Sequence, residues 1–166
     1  MADRLTQRAR RLRLAIFDVD GVMTDGTLWF GPRGEVMKAF NILDGHGLKL
    51  LQKAGIDTAF LSGRKSAAVA HRARELAIAH VIQGTGDDKV PQFERLVARA
   101  GVTPEQCSFM GDDIQDLAVM QRCGLRVAVV NAMPAVKKAA HYVTRAHGGR
   151  GAVRELCELV LRARAK

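Results

Sequence analysis

The segment Leu14-Ala-Ile-Phe-Asp-Val-Asp-Gly21 runs from an apolar stretch into two carboxylates, Asp18 and Asp20, spaced i and i+2. If extended backbone persists through them, both side chains point to one face at the end of a strand. Two carboxylates that close repel one another, and one is pushed toward protonation unless a cation lies between them. A second acidic group, Gly111-Asp-Asp-Ile-Gln-Asp116, follows another apolar run in the same way. Hard oxygen donors in this arrangement suit Mg²⁺, which accepts one or two carboxylates and keeps its other positions for water and phosphate oxygens. Taken singly, each group has a plainer reading. An Asp before Gly21 ends a turn, and Asp112 or Asp113 caps the helix that follows. Capping does not explain why acids gather at the ends of two different strands.

Two further segments supply what a phosphate needs. Leu61-Ser-Gly-Arg64 offers the Ser62 hydroxyl, a backbone at Gly63 that a ligand can approach, and an opening helix whose free amides favour an anion. Lys89, after Gly84-Thr-Gly-Asp-Asp88, brings a compact positive charge to the start of another helix. Ser before Gly and Lys in a first helical turn are both common; their order along the chain is what adds weight.

The elements that position these residues alternate. Apolar, β-branched runs at 14–19, 58–61, 80–83, 107–110, 125–130 and 141–144 read as strands. Several are apolar throughout, as strands covered on both faces must be. Helical patterns lie between them at 45–53, 66–76, 89–100, 114–122, 134–139 and 152–164, with Pro134 suited to a first turn. The expectation is a doubly wound, mainly parallel α/β sheet with helices on both faces and ligands bound beyond the C-terminal strand ends. One segment breaks the rhythm. Residues 27–30 and 35–40 flank Gly31-Pro-Arg-Gly34 and predict a β-hairpin inserted after the first strand, with Trp29 and Phe30 near its tip. Apolar residues on such a projection imply a partner surface.

Composition narrows the rest. With 166 residues, 48% hydrophobic and 26% charged, the chain fits a single domain at 14–166 behind a basic arm at 1–13. The net charge of +9 invites a nucleic-acid reading, with Arg4, Arg8, Arg10, Arg11 and Arg13 close together. No aromatics interleave with those arginines to stack on bases, so a solvated terminal segment is expected, with no nucleic-acid partner. No apolar run approaches the ~18 residues that span a bilayer. The first residues carry charges where a signal peptide has its apolar stretch, which points to the cytoplasm and away from membranes. Cys107, Cys123 and Cys157 have no C-x-x-C spacing and read as buried thiols.

The order DVDGV, SGR, lysine, GDD-x-x-D resembles the four motifs of the haloacid dehalogenase superfamily across nearly the whole chain. More narrowly, DVDGVMTDG, KAFNILDGHG, LSGRK and HGGRGAVRE are similar to the phosphatases of 3-deoxy-D-manno-octulosonate 8-phosphate, where 3-deoxy-D-manno-octulosonate (KDO) is an eight-carbon sugar acid. The resemblance implies a Mg²⁺-dependent phosphatase in lipopolysaccharide precursor synthesis, working through an aspartyl phosphate. It makes Asp18 the nucleophile, Asp20 the general acid and base, and Ser62 and Lys89 the phosphate holders. Asp18, Asp20 and Asp112 fall at its metal positions. Asp20, Asn41, Ile42, Leu43, Asp44, Gly45, Lys49, Gly63, Arg64, Arg72, Lys89 and Arg150 fall at positions associated with the substrate. Leu43 and Lys49 stand where this branch frequently has arginine. No separate cap domain is encoded between the motifs, and capless members cover the site with a neighbouring subunit, so a homotetramer is implied. A phosphatase of a nine-carbon sugar acid and a phospho-accepting receiver domain are the alternatives; in the receiver pattern the phosphorylated Asp follows the third strand rather than the first.

Overall fold

The computed structural model describes residues 2–165. At its centre is β1 (Leu14–Phe17), buried at every position. It pairs in parallel with β4 (Asp57–Ser62) on one side and β6 (Cys107–Gly111) on the other, so that Phe17 lies opposite Phe60 and Met110. The sheet continues outward through β5 (His80–Gln83) next to β4, and through β7 (Leu125–Ala128) and β8 (Tyr142–Val143) beyond β6. The order β5-β4-β1-β6-β7-β8 reverses direction at β1, because the chain first builds toward β5 and then returns to lay β6 on the other side. A crevice opens at such a switch point, outside the C-terminal strand ends. Helices α1 (Ala2–Arg10), α2 (Ile42–Lys53) and α7 (Ala152–Arg164) pack together, and α4 (Val90–Ala100), α5 (Leu117–Met120) and α6 (Pro134–Ala139) form a second group. The remaining helix, α3 (Ala67–Glu75), follows β4 and is capped by the Ser66 hydroxyl. Among the described residues, no helix is long and apolar enough to cross a membrane.

Several boundaries differ from the sequence expectation for physical reasons. β1 stops at Phe17 rather than Val19. The Asp18 amide still reaches Met110 O at 3.0 Å, but the amides of Val22, Met23 and Thr24 all turn back onto Val19 O. The i, i+2 geometry that would have put Asp18 and Asp20 on one strand face is therefore absent. α2 starts at Ile42, three residues early, because Asn41 Oδ1 accepts from the Leu43 and Asp44 amides and caps it. Gly45 and Gly47, which weaken a helix prediction, sit where α2 is closely approached by its neighbours. A Cβ at Gly45 would lie 2.3 Å from Arg72 Nη2, and one at Gly47 3.2 Å from the Arg154 backbone. The expected helix at 114–122 is a 3₁₀ turn, Ile114–Asp116, followed by the short α5.

The N-terminal segment is not a solvated arm. Leu5, Ala9 and Leu12 recur at helical spacing among the arginines, Ala9 and Leu12 are fully buried, and Leu5 packs against the core. Arg10 Nε donates to Ala163 O at 2.8 Å, and Arg164 donates to Leu12 O. The aliphatic stripe holds the segment on α7 while its arginines face outward.

The hairpin is present as β2 (Trp29–Gly31) and β3 (Gly34–Met37), joined at Pro32-Arg33 with Gly34 at φ 106°. Trp29, Phe30, Val36 and Met37 are all more than half exposed.

Candidate active site

The crevice at the switch point holds a cavity of about 310 Å³ lined by Asp18, Asp20, Ser62, Gly63, Arg64, Lys89 and Asp112, with Asp113 and Gln115 at its edge. Each comes from a strand end or the turn beyond it. Two glycines make the convergence possible. A Cβ on Gly21 would meet Asp112 Oδ2 at 2.0 Å, and one on Gly111 would meet Asp116 Oδ2 at 2.5 Å.

Ligand oxygens of Asp18, Asp112 and Asp116 lie within 4.8 Å of one another. Asp116 belongs to the second acidic group, yet sequence reasoning assigned it no role. Its Oδ2 accepts from the Asp112 and Asp113 amides at 2.9 and 3.2 Å, which folds it under the turn, and its Oδ1 accepts from Lys89. Asp113 is the cap, accepting from the Ile114 amide at 2.7 Å, so the choice between capping and site roles falls to Asp112 as the site acid. Burial, reinforced by Asp116, pushes the Asp18 carboxyl up to about 6 against the pull of Lys89. Burial together with the charges of Asp18 and Asp116 pushes Asp112 up to about 8. Carboxylates raised this far above their ordinary range are short of positive charge. A hard divalent cation fits the all-oxygen donor set and would relieve that shortage.

Lys89 supplies the positive charge that is present. It precedes α4 at the cap position, its side chain is 1% exposed, and its Nζ donates to Asp18 Oδ1 and Asp116 Oδ1, both at 2.8 Å. Burial works to lower its pKa, but the two carboxylates outweigh burial and the net direction is upward.

Asp20, at an expected metal position, has its carboxylate outside the cluster that Asp18, Asp112 and Asp116 form. Beyond β1 the turn onto Val19 O carries it away from Asp18, and Lys38 Nζ holds its Oδ1 at 2.5 Å. Neither Lys38 nor Glu35, its second partner at 3.1 Å, was singled out from sequence. Arg64 Nε lies 3.8 Å from Asp20 Oδ2, Nη2 lies 3.7 Å from Glu35, and the guanidinium sits over the Phe30 ring at 5.9 Å. The hairpin is thereby tied, near its turn, to the cavity wall.

The residues expected to hold a sugar acid divide. Gly63 and Arg64 line the cavity. Ile42 and Arg72 line a neighbouring depression of about 490 Å³ bordered by Lys38, Phe40 and His71. Arg72 lies 6.0 Å over Phe40 and pairs with Glu75 at 2.8 Å. Leu43 and Lys49 are exposed on α2 and line neither space, and Asn41 is its cap. Asp44 is fully buried, and its carboxylate accepts from the Gly151 and Arg154 amides at 3.3 and 2.8 Å. It caps the start of α7, a structural task, because Gly151 has no side chain to do so. The 148–151 segment is a loop packed on residues 21–25. Gly149 N donates to Val22 O, and Arg150 lies 3.6 Å from Asp25 with its side chain largely exposed.

Comparison with known proteins gives one answer. Residues 81–156 match the model of the haloacid dehalogenase-like hydrolase family. The 3-deoxy-D-manno-octulosonate 8-phosphate phosphatase of Yersinia pestis is 47% identical over 166 residues, covering 100% of this chain and 88% of that protein. The crystal structure of the Moraxella catarrhalis 3-deoxy-D-manno-octulosonate 8-phosphate phosphatase in complex with magnesium ion, phosphate ion and a KDO molecule has a TM-score of 0.94 at 39% identity. The match covers 98% of this chain and 93% of that one. The cobalt-bound phosphatase of Haemophilus influenzae gives 0.93 at 40% identity, covering 96% and 93%. With close to half of its residues shared with one relative over the full length, and with their fold, the chain belongs to the haloacid dehalogenase-like hydrolases and, among them, to the 3-deoxy-D-manno-octulosonate 8-phosphate phosphatase family.

Proposed function

We propose that the chain hydrolyses 3-deoxy-D-manno-octulosonate 8-phosphate to KDO and phosphate. The observation that carries the chemistry is the convergence of Asp18, Lys89 and Asp112 in one cavity at the switch point, with Asp20 beside them. An Asp18 carboxylate oxygen attacks phosphorus in line, the ester P–O bond breaks, and Asp20 donates its proton to the departing alkoxide. Asp20 then takes a proton from the water that attacks the phosphorylated Asp18, and the acyl phosphate P–O bond breaks to return the carboxylate. Lys89 and Ser62 bind the phosphoryl oxygens, and amides at the opening of the segment after Ser62 add further donors. Asp18 and Asp112, with Asp116 beside them, would hold Mg²⁺, which supplies positive charge against that of the phosphate. Asp20, its carboxylate engaged by Lys38, handles the proton with its side chain, and its main-chain carbonyl is the atom it would offer to the ion.

Arg64, on the cavity rim, is the side chain placed to meet a sugar carboxylate through two hydrogen bonds. Phosphate release from KDO 8-phosphate, a nine-carbon sugar-acid phosphate and a neutral hexose phosphate tests the substrate. The expected order has KDO 8-phosphate first, with kcat/KM about ten-fold or more above the neutral sugar, the worth of one charge-assisted contact. A preference for the neutral sugar would remove the sugar-acid assignment and leave the phosphatase in place.

The proposal extends to a cytoplasmic enzyme of lipopolysaccharide precursor synthesis, acting as a homotetramer, with 14–166 and the docked α1 as one folding unit. Support for assembly comes from the hairpin, where Trp29, Phe30, Val36 and Met37 leave an apolar surface uncovered. Replacing the exposed Trp29, Val36 and Met37 by serine, which leaves Phe30, Glu35 and Lys38 in place, should reduce the mass in solution and lower sugar-phosphate turnover together. Light scattering that returns the parent's mass would show that the hairpin is not the interface.

A further inference from the structure

Lys38 follows the last residue of β3, and its side chain is 1% exposed. An ammonium in that position is strongly disfavoured unless it is paired. Here it is paired twice, to Asp20 Oδ1 at 2.5 Å and to Glu35 Oε2 at 3.1 Å. Glu35 is itself fixed, because its Oε1 accepts from Ser66 Oγ at 2.5 Å and its Oε2 lies 3.7 Å from Arg64. Ser66 caps α3. A continuous line of polar contacts, Asp20–Lys38–Glu35–Ser66, therefore runs from the cavity to the end of a helix.

Two features show what this line does. First, Lys38 lines the neighbouring depression with Phe40 and Arg72 rather than the cavity that Asp20 lines, so it reaches Asp20 from outside that cavity. Second, the terminal torsion of an aspartate is soft and two-fold, and a carboxylate with no partner has little preference between its oxygens. Lys38 removes that freedom by engaging one oxygen from outside the cavity. At the other, Oδ2, no hydrogen bond is made among the described residues, and Arg64 Nε lies 3.8 Å away.

We infer that Lys38 is the positioning residue of the general acid: by holding Oδ1 it leaves Oδ2 as the oxygen that carries the proton to the departing alkoxide, with Glu35 and Ser66 as its brace. This rests on reading Asp20 as the acid. It also makes the hairpin part of the catalytic apparatus, since the same β3 that presents Val36 and Met37 outward carries Glu35 and leads directly into Lys38.

The test is leaving-group dependence, measured with the full chain in Mg²⁺ on KDO 8-phosphate and on aryl phosphates of graded leaving-group pKa. An acid matters most when the leaving group is poor, and general acid–base catalysis contributes about 10²- to 10⁴-fold. Lys38→Met should lower kcat/KM on the sugar phosphate about 10- to 100-fold while changing a nitrophenyl phosphate less than about three-fold. Lys38→Arg should restore most of the loss, and Glu35→Gln should give a smaller shift in the same direction. Lys38→Gln carries the test if the methionine variant does not fold. Asp20→Asn should show the same steepened dependence, and adding Lys38→Met to it should steepen it no further. Steepening in Asp20→Asn with equal losses on every substrate in Lys38→Met and Lys38→Gln would overturn the role of Lys38 alone. Equal losses in Asp20→Asn would remove the acid assignment and this inference with it.

Discussion

Asp18→Asn is expected to yield a folded protein whose kcat is lower by at least about 10⁴-fold, the scale seen when a covalent nucleophile is removed. The amide has nearly the shape of the carboxylate but no charge with which to attack phosphorus or bind a cation. Folding should tolerate it for a reason visible in the site. Burial and Asp116 already push the Asp18 carboxyl up to about 6, so its ionised form is held at a cost to the native state near neutral pH. A carboxyl raised in the folded state contributes stability at low pH that is lost as pH rises through the folded value, so at pH 7 the neutral amide gives nothing up on that account. Lys89 would keep Asp116 Oδ1 as a partner at 2.8 Å. Phosphate release and thermal melts in chelator at pH 7 check both halves. Turnover near that of the parent in a well-folded variant would sink the nucleophile assignment; a melting temperature lowered by many degrees would show that the site depends on the Asp18 charge for its shape.

Much of this site was legible because its parts sit at strand ends, where an apolar run stops abruptly at a polar residue. Asp18 after Phe17, Ser62 at the end of β4 and Asp112 after Gly111 all have that signature, and Lys89 was marked by its place before an amphipathic helix. The parallel order followed from alternation, and the hairpin from Gly-Pro-Arg-Gly between two short apolar runs. Residues whose role depends on long-range contact were not legible. Asp116 is four residues beyond Asp112 and reads as an ordinary helix-face acid; only its fold-back onto two amides brings it to Lys89. Lys38 and Glu35 lie 18 and 31 residues from the groups they touch, Asp20 and Ser66. Asp44 carried a family position that hid its task, since nothing local reveals that α7, more than a hundred residues on, begins at a glycine in need of a cap. In α1 the arginines outnumber the aliphatic stripe, so charge density concealed a period of 3.6. The extended geometry assumed through Asp20 failed where Val19 O gathers three amides, an event with Gly21 as its only sequence mark.

Lys89→Met should have the second large effect, on a different axis from Asp18. Methionine replaces much of the buried volume and stays beside the Phe109 ring, which Lys89 Nζ approaches at 5.8 Å. What it removes is the cation between Asp18 and Asp116, leaving Asp18, Asp112 and Asp116 to face one another. Taking one partner from a buried ion pair costs ~3–5 kcal/mol. At about 2–4 °C per kcal/mol for a chain of this size, melting in chelator should fall by roughly 6–20 °C. A divalent cation that binds the same acids stabilises the native state by mass action, about 2.7 kcal/mol at a hundred times its dissociation constant. Mg²⁺ should therefore raise the melting temperature of the variant more than that of the parent, because it replaces charge that the parent already has. Activity should not follow the recovered stability. The phosphoryl group has lost its own compact cation, and kcat should remain about 10²- to 10³-fold low at saturating Mg²⁺. Melting curves and phosphate release across a Mg²⁺ series separate the two effects. If the variant melts with the parent in chelator and answers Mg²⁺ no more strongly, Lys89 does not neutralise the acidic cluster; if Mg²⁺ restores turnover along with stability, Lys89 serves the fold and not the phosphate.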